Sequence, residues 1–383
     1  MSGSRRVVTF YSDAAYYGGA EVYLSMLARH LDPERFRTTA LLPDDPPVKR
    51  LEREMEAIGA RVVRHPRPGL NWMNALRRMP SVFREIGGEI LHINLPSTYD
   101  AAVSAVAVAA RLAGYRRVLT TEHLPMIERK YRKFPAKLLF SEAIDLVLVP
   151  SRATREYVVQ RHRLPLEKTR VLPYGIERPA PVDADTAARL RAETATPEGT
   201  CLIGIVGRLH PRKGHRTLFA ALSCLRERAR LEEVRVWVIG EGEDRPALER
   251  IVADRDLGGV VRFLGPRDDA AGLMQLLDLL VVPSLVETTP FVILEAMAAG
   301  RAVVASRIYG IPEMIEPEGS GLLIEPEDVA GLAEALGRLV SDPELRARFG
   351  ARGRARFDER FTAARMARET EAAYLDRGGE GPE

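Results

Sequence analysis

The residues Leu279–Ser306, LLVVPSLVETTPFVILEAMAAGRAVVAS, read as a strand, an acidic loop, a helix and a second strand. Leu279–Val282 is a short apolar run ended by Pro-Ser, as is typical of a buried strand in a parallel sheet. Pro290 suits the first turn of a helix, and Phe291–Ala299 has helical composition and stops at a glycine. This order of elements predicts an open α/β sheet.

Two glutamates, Glu287 in the loop and Glu295 in the helix, flank the predicted helix start. Ligands of open α/β sheets bind beyond the carboxyl ends of the strands, where a helix N-terminus offers N–H groups to a phosphate. Two carboxylates repel a phosphate, so they are better suited to accepting hydrogen bonds from sugar hydroxyls. The alternative is that both are solvated surface acids.

Length and composition narrow the function classes. A chain of 383 residues exceeds one ordinary core, and this favours two domains. A net charge of +3 argues against a surface built for nucleic acid. The two cysteines fall in predicted core elements, which disfavours a disulfide scaffold or zinc cluster and favours a reducing compartment. The N-terminus lacks a signal-like apolar run, and Ala101–Ala110 is too short for a span of about 18 residues. We therefore expect a cytoplasmic protein.

Strand-like runs alternate with helical segments in two series, which predicts two parallel sheets. The first series is Val7–Tyr11, Thr38–Leu42, Val62–Arg64, Ile90–Asn94, Val118–Thr121 and Leu146–Val149, and the second is Cys201–Val206, Val234–Ile239, Val260–Leu264, Leu279–Val282 and Ala302–Ala305.

The predicted fold class is α/β, with two doubly wound Rossmann-like domains facing a central cleft. Residues 178–199 are rich in Pro, Ala, Thr and Asp and are predicted to be a linker with a surface helix. It joins a first domain, 1–177, to a second, 200–357, and we expect a C-terminal helix at about 358–376 to pack back on the first domain.

The second domain opens with IGIVGRLHPRKGH, a basic loop after a buried strand. Gly207 allows a tight turn there, and Arg208 and Lys213 place two cations at the mouth of the strand–helix turn. Such a pair suits a diphosphate, which needs charge neutralisation and accepts bidentate bonds from guanidinium. A solvated basic loop is the alternative. The loop lacks Gly-Lys-Ser/Thr of a P-loop, and no Gly-x-Gly-x-x-Gly follows the first strand.

The motifs GGAE, GRLHPRKG, VIGEGED, VRFLG and PSLVETTPFVILEAMAAGRAVVAS occur in this order along the chain. Together they closely resemble the retaining nucleotide-sugar glycosyltransferases of family four, which have the two-domain GT-B fold. The resemblance spans nearly the whole chain and is strongest from Cys201 to Leu323. It implies donor binding by the second domain and acceptor binding by the first.

The resemblance implies a role for each matching residue. Arg208 and Lys213 match the pair that holds the donor diphosphate, Glu295 the glutamate that binds the ribose hydroxyls, and Glu287 the one that contacts the transferred sugar. The other implied donor-binding residues are Gly18, Gly19, Gly207, Arg262, Phe263, Leu264, Thr288, Thr289, Pro290, Phe291 and Val292. Gly18 and Gly19 match the glycine turn that lets the backbone come close to the phosphate or to the acceptor. The run from Arg262 matches the edge whose main chain reads the base.

Two stretches depart from the family pattern. Thr288-Thr289 stands where the family often has glycine after the first glutamate, so the hydroxyls could contact the sugar and donor identity stays open. Tyr174-Gly175-Ile176-Glu177 replaces the usual Asn-Gly-Val-Asp that closes the first domain, and we interpret it as a structural hinge.

His123 follows a predicted first-domain strand and resembles the family histidine near the reacting sugar, where it orients a hydroxyl or stabilises charge. It joins Glu287, Arg208 and Lys213 as a predicted catalytic residue. His92 and Asn94 also end a strand and are predicted to bind the acceptor with His123. A hydrogen-bonded structural histidine is the alternative for both rings. His210 and His215 flank the basic loop as predicted bystanders. No spacing of His, Asp or Glu suggests a metal site, so we expect no metal and no cofactor.

Ile127–Phe140, IERKYRKFPAKLLF, interleaves cations with apolar residues. This pattern is typical of a segment that lies on the inner, anionic face of a membrane or that binds an anionic acceptor. A solvated basic helix face is the plainer account.

The leading hypothesis is a retaining, metal-independent hexosyltransferase that moves a sugar from a nucleotide diphosphate to a hydroxyl acceptor. Its donor would be the nucleotide sugar, and its acceptor would be a sugar, a lipid-linked sugar or a small molecule. The product would belong to polysaccharide, glycolipid or natural-product biosynthesis. By family frequency, UDP-glucose or UDP-N-acetylglucosamine comes first and GDP-mannose second. The alternatives are a nucleotide-sugar epimerase of the same fold and an inactive nucleotide-sugar-binding subunit.

Overall fold

A computed structural model describes residues 5–14, 17–44, 49–65, 72–95, 101–124, 141–194, 196–197, 199–227, 231–232 and 234–376. The chain divides into two compact units. The first unit comprises Met1–Gly175 and Ala363–Glu383, and the second comprises Ile176–Thr362. The segment predicted as a linker, 178–199, is thus grouped with the second unit, to which Val182 N–H is tied by a 3.0 Å hydrogen bond to Gln275 Oε1.

The first unit contains a parallel sheet with the strand order β3-β2-β1-β4-β5-β6-β7 within the described residues. Its strands are β1 (Arg6–Ser12), β2 (Phe36–Pro43), β3 (Arg61–His65), β4 (Ile90–Leu95), β5 (Arg117–Glu122), β6 (Leu146–Val149) and β7 (Thr169–Val171). Its helices are α1 (Gly19–His30), α2 (Lys49–Ala57), α3 (Trp72–Ile86), α4 (Ala101–Leu112) and α5 (Arg152–His162).

The central strands β1 and β4 are buried on both faces, because helices cover both faces of a parallel sheet. Val8, Phe10, Leu91 and Ile93 have no exposed surface. The strand order reverses between β1 and β4, and the carboxyl ends of these two strands form the topological switch point where open α/β sheets bind ligands.

The second unit contains a parallel sheet with the order β10-β9-β8-β11-β12-β13 within the described residues. Its strands are β8 (Cys201–Val206), β9 (Val234–Ile239), β10 (Val261–Gly265), β11 (Leu279–Val282), β12 (Ala302–Ser306) and β13 (Gly321–Ile324). Its helices are α6 (Ala184–Glu193), α7 (His215–Glu227), α8 (Arg245–Asp254), α9 (Ala270–Leu276), α10 (Phe291–Ala298), α11 (Ile311–Met314), α12 (Val329–Ser341) and α13 (Pro343–Arg360).

The core of the second unit forms where the β8–β13 sheet packs against α7, α12 and α13. Ile203, Phe219, Val281 and Leu336 have no exposed surface there. The chain then returns to the first unit as α14 (Ala363–Leu375), which packs on α1. The predicted alternation of strands and helices, with two parallel sheets, is confirmed.

Candidate functional site

The loops that follow β8 and β9 pack against each other at the carboxyl edge of the second sheet. Gly207 N–H donates to Ile239 O at 2.9 Å, and Gly240 N–H donates to Gly265 O at 2.9 Å. A Cβ on Gly240, whose φ is +134°, would lie 2.0 Å from Gly207 O. Only glycine therefore allows this approach, and it holds the loop of Arg208 beside the loop of Glu243.

The basic loop also abuts the loop after β11. Gly214 ends the 3-10 turn Pro211–Lys213 in a left-handed conformation, and a Cβ there would lie 1.8 Å from Pro283 O. Leu285 N–H donates to Arg212 O at 2.7 Å. These two contacts fix the cations of one loop against the acidic loop that leads into α10.

Lys213 and Glu287 form an ion pair across these loops, Nζ to Oε1. The Lys213 side chain is 32% exposed and that of Glu287 13% exposed. The structure therefore brings together two residues that lie 74 positions apart in the sequence. The family resemblance implies that Lys213 holds the diphosphate and that Glu287 contacts the transferred sugar.

Arg208 is the more exposed cation, with 61% of its side chain accessible. Its Nε donates to Glu243 Oε2 at 3.2 Å, and His210 Nε2 lies 3.6 Å from the other oxygen, Oε1. Glu243 was not anticipated from the sequence. The signal that could have found it is the acidic run GEGED directly after β9, at the same sheet edge as the basic loop.

Glu295 lies in the second turn of α10, where burial raises the pKa of its carboxyl from 4.5 to about 7. A carboxyl with this pKa can bind hydroxyl groups in either form: the carboxylate accepts hydrogen bonds from them, and the protonated carboxyl can also donate one. The N-cap residue of α10 is Pro290, whose side chain makes no capping hydrogen bond.

The segment between Glu287 and α10 is more enclosed than a glycine-rich loop. Thr288 and Thr289 are 5% and 4% exposed, and Thr289 Oγ1 is a buried hydroxyl without a hydrogen-bond partner. Phe291 and Val292 start α10 and are half-buried. A polar ligand group at this position would satisfy the threonine hydroxyl.

The run predicted to read the base, Arg262–Leu264, lies within β10. The Arg262 guanidinium donates to Glu193 O at the end of α6, at 3.4 Å, and the Phe263 ring packs on Phe219 with centroids 6.3 Å apart. Both side chains are thus engaged elsewhere, so contact of this run with a base would involve its main chain.

In the first unit, the Gly18-Gly19 turn begins α1 at the carboxyl end of β1, beside the topological switch point. Gly18 N–H donates to Glu21 Oε2 at 3.0 Å. Glu21 is 1% exposed, its Oε1 has no partner, and burial raises the pKa of its carboxyl to about 7. A second carboxyl with a raised pKa therefore stands at the start of α1.

His123 is 7% exposed and both of its ring nitrogens are engaged. Asn94 Nδ2 donates to Ala20 O at 3.1 Å, which turns Asn94 Oδ1 toward His123 Nε2 at 2.7 Å. Nε2 therefore carries the proton, and Nδ1 accepts from Tyr174 O–H at 2.5 Å. Burial lowers the pKa of His123 to about 3, so the ring is neutral.

His92 and Asn94 have no exposed surface, so in this structure they do not line an acceptor pocket as predicted. His92 is bound through Nδ1 to Tyr374 OH at 2.6 Å and through Nε2 to Thr121 Oγ1 at 2.7 Å. Burial lowers the pKa of His92 to about 3. This is the hydrogen-bonded structural histidine considered as the alternative. Tyr374 comes from α14 and had no local sequence signal.

Two predictions concern membranes and metals. The basic segment Ile127–Phe140 lies outside the described residues. Among the helices that are described, none is long and apolar enough to cross a bilayer. Among the described residues, no three or more His, Cys, Asp and Glu side chains lie close enough together to hold a metal ion.

Comparison with known proteins agrees with this fold. Residues 17–178 match the family model described as Glycosyltransferase Family 4, and residues 200–342 match the model described as Glycosyl transferases group 1. The structure of Anabaena HepE in complex with UDP-glucose superimposes with a TM-score of 0.80 at 21% identity, over 96% of this chain and 98% of that one. The fold is thus that of the two-domain GT-B glycosyltransferases. Since the two family models lie on the two units, the chain belongs to glycosyltransferase family four.

Curated relatives support the same family. A D-inositol 3-phosphate glycosyltransferase from Corynebacterium jeikeium is 32% identical over 54% of this chain and 51% of its own length. A lipopolysaccharide core biosynthesis glycosyltransferase from Rhizobium meliloti is 35% identical over 43% of this chain and 46% of its own length. The chain spans about half the length of the curated relatives it matches.

Proposed function

We propose that this protein transfers a sugar from a nucleotide diphosphate sugar to a hydroxyl acceptor with retention of anomeric configuration. The observation that carries the proposal is the ion pair between Lys213 and Glu287, which joins the loops after the neighbouring strands β8 and β11. Arg208 lies on the first of these loops, and Glu295 lies in the second turn of α10, which follows the other loop. A diphosphate is bound by cations, while ribose and hexose hydroxyls donate hydrogen bonds to carboxyl groups.

UDP is the first choice of nucleotide, because the similar Anabaena structure is a complex with UDP-glucose. UDP-glucose or UDP-N-acetylglucosamine is therefore the proposed donor, with GDP-mannose as the second choice. The acceptor is a hydroxyl compound, and the curated relatives suggest an inositol phosphate or a lipopolysaccharide core sugar as the first acceptors to assay.

In the proposed reaction, the bond between the anomeric carbon and the diphosphate oxygen breaks as the acceptor oxygen bonds to that carbon. The acceptor proton moves to the departing diphosphate oxygen. Lys213 and Arg208 stabilise the negative charge that develops there, which is the role a metal has in other transferases. We therefore propose that the reaction requires no metal and no cofactor.

Glu295 is assigned to the ribose hydroxyls and Glu287 to the transferred sugar. The first unit is assigned to the acceptor, with the Gly18-Gly19 turn and Glu21 at its switch point. Both ring nitrogens of His123 are hydrogen-bonded, to Asn94 and to Tyr174, which leaves neither free to transfer a proton. We therefore assign His123 to positioning the turn through the bond from Asn94 to Ala20 O.

The test is a thermal-shift screen with UDP, GDP, dTDP and ADP, followed by turnover with the corresponding sugars. A nucleotide at about a hundred times its dissociation constant adds roughly 2.7 kcal/mol of stability. Lys213→Ala should abolish the shift and lower turnover by orders of magnitude. The control is Lys168→Ala, which removes a lysine paired with Glu142 at 2.8 Å in the first unit.

The outcomes separate the alternatives. Sugar isomerised without any acceptor would identify an epimerase, and nucleotide binding without turnover on any acceptor would indicate an inactive binding subunit. If the Lys213→Ala variant bound nucleotide with wild-type affinity, the donor site could not lie at this sheet edge.

A further inference from the structure

The Glu243 carboxylate lies close to two side chains of the basic loop, Arg208 and His210. Arg208 reaches its Oε2 at 3.2 Å, and His210 Nε2 lies 3.6 Å from its Oε1. The three side chains belong to the loops after β8 and β9, which the close approach of Gly207 and Gly240 holds together. Backbone contacts therefore fix the relative position of the two loops that carry these side chains.

The hydrogen bonds of His210 determine which ring nitrogen carries its proton. His210 Nδ1 accepts from Arg212 N–H at 3.1 Å, at the start of the 3-10 turn. An accepting Nδ1 leaves the proton of the neutral ring on Nε2, and that N–H faces Glu243. His210 is thus a donor toward the anion even without a positive charge.

A carboxylate that accepts from a guanidinium through one oxygen and has an imidazole nitrogen 3.6 Å from the other is placed as a phosphate would be. Both groups present two acceptor oxygens and a negative charge, and guanidinium recognises either in the same way. The second cation of the loop, Lys213, likewise faces a carboxylate, that of Glu287. The loop therefore offers three anion-binding groups: Arg208, His210 and Lys213.

We propose that His210 is a third side chain that binds the donor diphosphate, and that Glu243 is an internal anion that competes with this diphosphate for Arg208 and His210. The proposal rests on the function proposed above. Arg208 and Glu243 are 61% and 52% exposed, so their ion pair is weak and a dianionic phosphate displaces it readily. Glu243 thus lowers donor affinity without preventing binding.

The experiment measures the dissociation constant of inorganic pyrophosphate by calorimetry at low salt. Pyrophosphate contains the diphosphate alone, so the result does not depend on which base or sugar the donor contains. Glu243→Gln removes the competing charge and should tighten binding about threefold to tenfold, an effect that shrinks as salt screens the charges.

His210→Asn separates binding from loop structure. The Asn side chain can still accept from Arg212 N–H and cap the turn, but it is too short to donate toward the phosphate. We expect this variant to keep the wild-type melting temperature and to bind pyrophosphate about threefold to tenfold more weakly. Lys213→Ala should abolish binding, and Lys168→Ala should leave it unchanged.

The results distinguish this inference from the proposed function. If Lys213→Ala abolishes binding while Glu243→Gln fails to tighten it or His210→Asn binds like wild type, this inference is overturned and the donor site stands. If pyrophosphate does not bind the wild type, or binds Lys213→Ala as well as it binds the wild type, both proposals are overturned.

Discussion

Lys213 and Glu287 pair across two loops that meet because Gly214 has no side chain to strike the Pro283 carbonyl oxygen. The lysine is predicted to hold the diphosphate and the glutamate to hold the sugar. One ion pair thus links the predicted diphosphate-binding residue to the predicted sugar-binding residue. A change at Glu287 should therefore act oppositely on nucleotide and on nucleotide sugar.

Glu287→Gln releases Lys213 from its carboxylate partner and keeps the shape of the side chain. We expect UDP to bind as tightly as to the wild type or more tightly, because Lys213 gains freedom to pair with phosphate. Turnover should fall by at least about a hundredfold, since a charged group at the sugar is lost. Calorimetry with UDP and a turnover assay with UDP-glucose provide both values. Equal losses in UDP affinity and turnover would contradict this assignment.

Tyr174→Phe removes the hydroxyl that donates to His123 Nδ1. A buried nitrogen is then left without its donor, which should lower the free energy of unfolding by about 1–3 kcal/mol. Turnover should also fall, because the ring that positions the Gly18-Gly19 turn through Asn94 is less constrained. Chemical denaturation and steady-state kinetics measure the two effects.

Tyr374→Phe is the matched control, because Tyr374 makes the same kind of bond to His92 at 2.6 Å in the same unit. It should cost a similar free energy of unfolding, whereas its kcat should stay close to wild type. Identical kinetic losses in the two variants would mean that His123 affects activity only through stability.

The sheets and the basic loop after β8 could be predicted from the sequence because their signals are local. Leu279–Val282 is a continuous apolar run between a charged residue and a proline, and it forms β11 with these bounds. Gly207, predicted to allow a tight turn after a buried strand, has a φ of +143°, a conformation that glycine adopts without strain.

The partners of the site residues could not be predicted, because they come from distant parts of the chain. His92 is bound by Tyr374, 282 positions later, and nothing in LHINLP indicates that partner. A histidine after a strand also looks the same in sequence whether it faces a ligand or the core. Its burial depends on α14, which packs on the first unit from the far end of the chain.

Glu295 should make stability depend on pH. Its carboxyl has a pKa of about 7 in the folded protein against 4.5 ordinarily, so the folded state holds a proton that the unfolded state has released. The resulting stabilisation is complete below about pH 4.5 and is lost as pH rises through about 7. Glu295→Gln stays neutral, so its stability relative to wild type should increase between pH 5 and pH 8.

Denaturant unfolding at pH 5 and pH 8 checks this expectation. At pH 8, nucleotide binding should also weaken in the same variant, because the ribose loses a charged acceptor. Glu249→Gln, at an exposed glutamate of α8, serves as the control and should show no such change with pH. A constant difference between Glu295→Gln and wild type across this range would mean that Glu295 is ionised throughout.

Gly214→Ala tests whether the backbone contact between the loops is required. The new Cβ would lie 1.8 Å from Pro283 O at a φ of +73°, so either the basic loop or the loop after β11 must move. We expect a loss of about 1–3 kcal/mol in the free energy of unfolding and a loss of nucleotide affinity of at least tenfold. Gly258→Ala is the control, because a Cβ there meets nothing within 4 Å, and it should match the wild type in both measurements. If Gly214→Ala binds nucleotide normally, Lys213 does not need the loop contact to reach the diphosphate, and the ion pair with Glu287 is an incidental feature of the folded loops.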